Sequence, residues 1–212
     1  MRVYFSIILV VLSVFSVSCV TDKSYEVFRD REDYRQTMDV YLNEKRVAKA
    51  VNTKKDKVLL VDLKQQRVKL LQDGWVALDI PCCTGKPGKE TPTGKYKIME
   101  KVEDKRSNIF GQLFDVEGNL LHGGDRRKYE GEYESYVGYS LPFWMRLNND
   151  GIGLHQSKSV HRKPSSNGCI RLPKDAVAEL FVAVDEGTRV KVKKSTPSHD
   201  KKWFLFSDLF GR

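Results

Sequence analysis

From Val58 to Ile80 the chain reads VLLVDLKQQRVKLLQDGWVALDI. Leu59, Val61 and Leu63, then Val68 and Leu70, recur at every second position, and Asp73-Gly74 interrupts the run. A period of two sends successive side chains to opposite faces, as a half-buried strand requires. Asp-Gly is favoured in tight hairpin turns because both central residues there take positive φ. The stretch therefore predicts antiparallel hairpins and a β-rich fold class. TGKPGKETPTGKYKI, residues 84–98, is a glycine- and proline-rich loop whose Thr91-Pro92-Thr93-Gly94 has the residue pattern of a type I turn. Tyr96 and Ile98 begin another strand, and YSLPFWMRL, GIGLHQS and GTRVKVK supply more. PKDAVAELFVAV is the one clear helix, with Pro173 at its start and Ala176, Leu180 and Val184 on one face. Residues 101–138 are charged and glycine-bearing, with Tyr129, Tyr133 and Tyr136 in their second half. They predict a long insertion or loop, a candidate lid. The expectation is a mainly β domain over residues 57–193 with one principal helix.

The chain begins MRVYFSIILVVLSVFSVSCV, with Arg2 ahead of an apolar run and no acidic residue before Asp22. This predicts an export signal over residues 1–18, with Ser16 and Ser18 placed for cleavage before Cys19. Cys19 is then a candidate for lipidation, which would anchor the chain to a membrane. Plain secretion and an uncleaved anchor are the alternatives, and each puts the domain outside the cytoplasm, in the periplasm or cell envelope. Residues 19–56 predict a polar helical spacer or a helix packed on the domain, and the aromatic tail at 194–212 predicts a segment that docks. Lysine and arginine number 37 against 28 acidic residues, a formal charge of +9. The charges are scattered and no basic helix or zinc-finger spacing accompanies them, which argues against nucleic acid as a partner.

With Cys19 set aside, Cys82, Cys83 and Cys169 remain. An odd number in an exported chain leaves at least one thiol unpaired. Cys82 and Cys83 are adjacent, too close for an unstrained disulfide, and read as strand-end thiols. Cys169 stands in SSNGCIRLP, residues 165–173. Gly168 lets the backbone there approach a substrate and offer N–H groups to an oxyanion. Arg171 and the helix start near Pro173 are expected to favour a thiolate. A nucleophile needs a base. Of His122, His155, His161 and His199, only His155 ends a strand, and strand alternation predicts that it shares the accessible face with Gly153, which leaves room there for substrate, while Ile152 and Leu154 enter the core.

The hairpin segment, the TPTG stretch, LPFWMRL followed by GIGLHQ, SNGCIRLP and GTRVKV occur here in one order. Together they resemble the L,D-transpeptidase (YkuD-type) catalytic domain of bacterial cell-wall enzymes, from about Val58 to Val192. The resemblance implies a β-sandwich-like fold and acyl transfer through a cysteine thioester, with no cofactor. It makes Cys169 the nucleophile, His155 its base and Gln156 the residue whose backbone orients the imidazole. Ser166 and Gly168 then shape the nucleophile loop, and Arg171 supports the loop or a substrate carboxylate. The implied partners are peptidoglycan stem tetrapeptides and an amine from a neighbouring stem or a protein lysine. Asn167 departs from the histidine frequent in the family, and Gln156 from a small residue. Three other readings compete: an L,D-carboxypeptidase with water as acceptor, a silent wall-binding lipoprotein, and a zinc site from His155, His161 and Cys169. The last lacks a tight ligand spacing.

Overall fold

The computed structural model describes residues 22–195. The expected export signal, Cys19 and the aromatic tail from 196 onward lie outside those residues. In chain order the elements are α1 (Lys23–Arg29), β1 (Tyr41–Leu42), α2 (Glu44–Asn52), β2 (Lys57–Asp62), β3 (Arg67–Gln72), β4 (Trp75–Pro81) and β5 (Gly94–Lys97). They continue with β6 (Glu100–Phe114), β7 (Leu120–Asp125), β8 (Ser135–Arg146), β9 (Gly153–Gln156), β10 (Ile170–Leu172), α3 (Lys174–Ala183) and β11 (Arg189–Lys193).

The strands form two sheets, in the orders β1-β4-β3-β2-β11-β5 and β10-β9-β8-β6-β7. The alternating segment folds as it predicts. β2, β3 and β4 pair antiparallel, and Asp73 and Gly74 join β3 to β4 with φ of 52° and 80°, the double positive φ of a tight hairpin turn. Leu59, Val61, Val68, Leu70, Leu78 and Ile80 face inward from this sheet. Met145, Leu154, Ile170 and Leu172 meet them from the other, and α3 closes the same core with Val177, Leu180 and Ala183. The architecture is a mainly β sandwich with one helix following the β10 strand.

Three expectations are corrected. Residues 101–138 are not an insertion or loop but a long antiparallel arm, β6 pairing with β7 on one side and β8 on the other. Within β6 only Gly111 and Leu113 are buried, so neither face needs a continuous apolar pattern and the strand signal is weak. Thr91-Pro92-Thr93 makes no turn. It runs without turn or helix into β5, because the Thr91 side chain is held by the backbone of Gly85 and Gly168. For residues 22–55 the spacer alternative falls and the packed helix holds: α2 buries Val47 and Ala50 against the core, β1 extends the first sheet, and Tyr25 and Tyr34 are buried on it.

That packing centres on a buried ion pair. Arg67 Nε donates to Asp79 Oδ1 at 2.5 Å, and neither side chain has solvent access. The hydroxyls of Tyr25 and Tyr34 donate to the other carboxylate oxygen at 2.9 and 2.7 Å. A buried pair with its remaining valences filled roughly breaks even against apolar packing, but losing one partner strands the other. Asp79→Ala is therefore expected to cost about 3–5 kcal/mol of unfolding free energy, read as a lowered urea midpoint, with Asp79→Asn costing less. Unchanged stability in the alanine variant would refute this account of the N-terminal segment.

Candidate active site

The parallel pairing of β9 with β10 sets Ile170 beside Leu154, Arg171 beside His155 and Leu172 beside Gln156. Paired residues project from the same face. Ile170, Leu154 and Leu172 enter the core, so His155 and Arg171 share the opposite face. Cys169 lies one residue before β10, where its thiol is near the Gly153 N–H, two positions along β9 from His155. Two strands thus bring the thiol and the imidazole to one edge of the second sheet, although the loop from Ser157 to Gly168 separates them in sequence.

His155 is 6 % exposed, so the accessible face expected for it is occupied. The Trp144 ring lies 6.2 Å from the imidazole, tilted by 39°. A Cβ added at Gly153 would meet two atoms of that same indole at 2.7 and 2.8 Å. The glycine therefore makes room for Trp144, not for substrate. The His155 Nδ1 and the Gln156 carbonyl oxygen are 2.6 Å apart. A carbonyl only accepts, so Nδ1 carries the proton and Nε2 keeps its lone pair in the neutral ring. Burial pushes the imidazole down to about 4; the Gln156 carbonyl opposes this and Arg171 adds to it. At neutral pH the ring is an uncharged acceptor.

Cys169 does not hold the lowered pKa expected of it. Burial raises the thiol above its ordinary value, and the Gly153 N–H and Arg171 only partly oppose that. The helix cannot help, because β10 intervenes: three extended residues hold the α3 N-terminus roughly 10 Å away, beyond the first-turn reach of its dipole. The Sγ donates to the Gly151 carbonyl at 3.5 Å, and among the described residues no hydrogen bond joins it to His155. The resting pair is thus a neutral thiol and a neutral imidazole.

The loop before Cys169 is tightly tied. Ser166 Oγ donates to the Cys169 carbonyl at 2.6 Å and accepts from the Gly168 N–H at 3.1 Å. Ser165 and Ser166 both donate their N–H groups to the Thr84 carbonyl. Gly168 has φ +117°, where a side chain would be strained, and its Cβ would meet Ile152 Cδ1 at 2.7 Å. Its N–H is already held by Ser166 Oγ, so the Gly168 donor is not free for an oxyanion. Arg171 makes no ion pair among the described residues. Asn167 is exposed at the loop apex and Gln156 is half-buried. His161 is exposed in the connecting loop, and among the described residues no group of three His, Cys, Asp or Glu side chains is placed to hold a metal ion. Cys82 and Cys83 are buried free thiols. Cys83 exchanges backbone hydrogen bonds with Arg171 at 3.0 and 2.8 Å and so braces β10.

One residue that shapes the loop escaped the sequence. Thr91 Oγ1 donates to the Gly168 carbonyl at 2.7 Å and accepts from the Gly85 N–H at 2.9 Å. Its segment was visible, but a turn motif does not announce a partner 77 residues away. Thr91→Val keeps the shape and strands both backbone groups, each costing about 1–3 kcal/mol when buried. The expected result is a melting temperature lower by about 5–20 °C with a faster Cys169 alkylation. A variant as stable as the parent would show the contact to be inert.

The L,D-transpeptidase catalytic domain (YkuD) family model matches residues 56–192. Among solved structures, an L,D-transpeptidase from Mycobacterium smegmatis is similar at 20 % identity, covering 65 % of this chain and 58 % of that one, with a TM-score of 0.49. An L,D-transpeptidase from Stackebrandtia nassauensis is similar at 25 % identity over 73 % of this chain and 67 % of that one, TM-score 0.49. One from Mycobacterium tuberculosis H37Rv stands at 22 %, 65 %, 57 % and 0.46 in the same measures. The chain thus spans less than two-thirds of the first of these structures. No curated protein sequence matches. With a match over well over half of its length, the chain belongs to the family of L,D-transpeptidase catalytic domains.

Proposed function

We propose that the protein is a cysteine L,D-transpeptidase that acts on peptidoglycan stem tetrapeptides. The observation that carries this reading is a thiol one residue before β10 near an imidazole in the paired strand β9, whose Nε2 has no hydrogen-bond partner among the described residues. Cys169 Sγ–H gives its proton to His155 Nε2 as the sulfur attacks the carbonyl carbon of the third-position diamino acid. The carbon–nitrogen bond to the terminal D-alanine then breaks, and the imidazolium returns the proton to the leaving amine. The result is a thioester on Cys169. An incoming amine attacks it, His155 takes the amine's proton, and the thiol is regenerated. One amide bond is exchanged for another, so the cycle needs neither cofactor nor redox partner. The Cys169 N–H supplies the oxyanion donor in this scheme, since Ser166 holds that of Gly168. Arg171, on the same face, offers a cation to a substrate carboxylate.

Incubation with a tetrapeptide stem is expected to raise the mass of the protein by the stem minus D-alanine, with the adduct on Cys169. Adding a stem amine, a lysine-bearing protein or only water then identifies the acceptor. A folded protein that takes up no acyl group, or takes it elsewhere, refutes the mechanism. We also propose an exported, Cys19-lipidated chain, because the apolar N-terminal run ends at that cysteine. The mass of the mature N-terminal peptide tests this, and an unmodified Cys19 would overturn it.

A further inference from the structure

The loop joining His155 to Cys169 is fastened at its midpoint to a part of the chain that the family match does not include. Arg162 takes φ 53° there, a conformation costly for a long side chain and held only where surroundings require it. Its Nη1 donates to the Tyr34 and Thr37 carbonyls, each at 2.7 Å. Its Nη2 donates to the Gln65 carbonyl in the β2–β3 connection. A planar guanidinium forks to several acceptors at once, which an ammonium cannot do in the same way.

The receiving segment is itself rigid. Thr37 and Gln36 donate their N–H groups to the Asp33 carbonyl, both at 2.7 Å. Arg31 spans Asp33 and Asp39, closing the segment from the outside. Arg67 reaches the Asp39 carbonyl at 2.8 Å from inside. Two residues after Arg162 comes Pro164, followed by Ser165 and Ser166 on the Thr84 carbonyl. Between the fixed carbonyls at 34–37 and the thiol at 169 there is little slack.

We propose that Arg162 is a positioning residue, through which residues 34–37 of the N-terminal segment hold the nucleophile loop in register with His155. The N-terminal segment is then part of the working unit and not a tether to it. The activity consequence rests on the proposed role of Cys169, whereas the loop's order can be read without substrate. A nucleophile displaced by an ångström can lose on the order of a hundredfold in rate.

In the full chain, Arg162→Ala is expected to lower kcat at least tenfold with KM within twofold. Amide hydrogen exchange over residues 163–168 is expected to speed up by a similar factor, and Cys169 alkylation in the free protein to change in rate. Arg162→Lys, which keeps charge and stem but not the fork, is expected to fall between and guards against an alanine variant that does not fold. Tyr34→Phe removes a hydroxyl and leaves the carbonyl, so it is expected to lower the melting temperature while leaving exchange over 163–168 and alkylation within twofold of the parent. Exchange and alkylation unchanged in both Arg162 variants would overturn the proposal. So would a Tyr34→Phe variant that reproduces their losses at equal stability, since the effect would then be general loosening. If the parent forms no acyl-enzyme, the function is wrong, and the exchange and alkylation arms still decide the role of Arg162.

Discussion

Cys169→Ala is expected to abolish acyl-enzyme formation and lower turnover by at least about a thousandfold, while the melting temperature moves by a few degrees at most. The rate loss is chemical in origin: alanine offers no lone pair to the carbonyl carbon, and among the described residues no second thiol is placed to substitute. Cys82 and Cys83 are fully buried, and Cys83 Sγ is held by Ser165 Oγ at 2.9 Å. The small stability change reflects the few contacts of the Cys169 side chain. Its side-chain hydrogen bonds are weak ones, the long thiol contact to the Gly151 carbonyl and the Gly153 N–H, whereas the loop is held by Ser166, Thr84 and Thr91 through backbone groups that alanine retains. Cys169→Ser discriminates further. A hydroxyl at this site has neither a lowered pKa nor the polarisability of sulfur, so serine is expected to be nearly as inactive as alanine. Mass spectrometry with a tetrapeptide stem checks both variants. An alanine variant that keeps more than a few per cent of parental turnover would remove Cys169 from the mechanism.

What could be read in advance divides by how far apart the partners lie. The β2–β3–β4 meander was legible because each strand meets its sequence neighbour, so alternation and one Asp-Gly turn carry the whole arrangement. The β6–β7 part of the arm was not, because strands largely solvated on both faces leave little alternation to find. The site pair was legible as residue types and order, and strand pairing then supplied its geometry. The thiolate expected of Cys169 was missed because burial outweighs single charges, and burial is a property of the fold. Gly153 is the clearest instance. In sequence it promises space beside His155; in the fold that space belongs to Trp144. Thr91 and Arg162 act on carbonyl groups of distant segments, and no side-chain pattern encodes a carbonyl acceptor.

The imidazole of His155 gives the second large effect, in rate and in pH dependence. His155→Ala is expected to lower kcat/KM by about 10²–10⁴, the usual range for loss of a general base, whereas His161→Ala is expected to stay within a few fold because that ring is exposed and distant in the loop. Exchange of the two rankings would identify the wrong base. The pH profile should show where the base titrates. With the ring held near 4 by burial, the acid limb of kcat/KM is expected well below the ordinary histidine value of about 6.5. With the thiol pushed up, Cys169 alkylation in the free protein is expected to keep rising beyond about pH 8.5. A thiolate–imidazolium pair predicts the reverse, fast alkylation already at about pH 6. The same burial links to stability. Because the folded value lies below the unfolded one, the unfolded chain takes the proton first as pH falls. The contribution is complete above about pH 6.5 and is lost by about pH 4, amounting to about 3 kcal/mol. Urea unfolding of parent and His155→Ala across that window separates this group from the carboxylates, since only the histidine's share of the slope disappears in the variant. Parallel slopes in the two proteins would mean that the ring is already charged, or solvated, in the folded state, and a charged ring cannot accept the proton of Cys169.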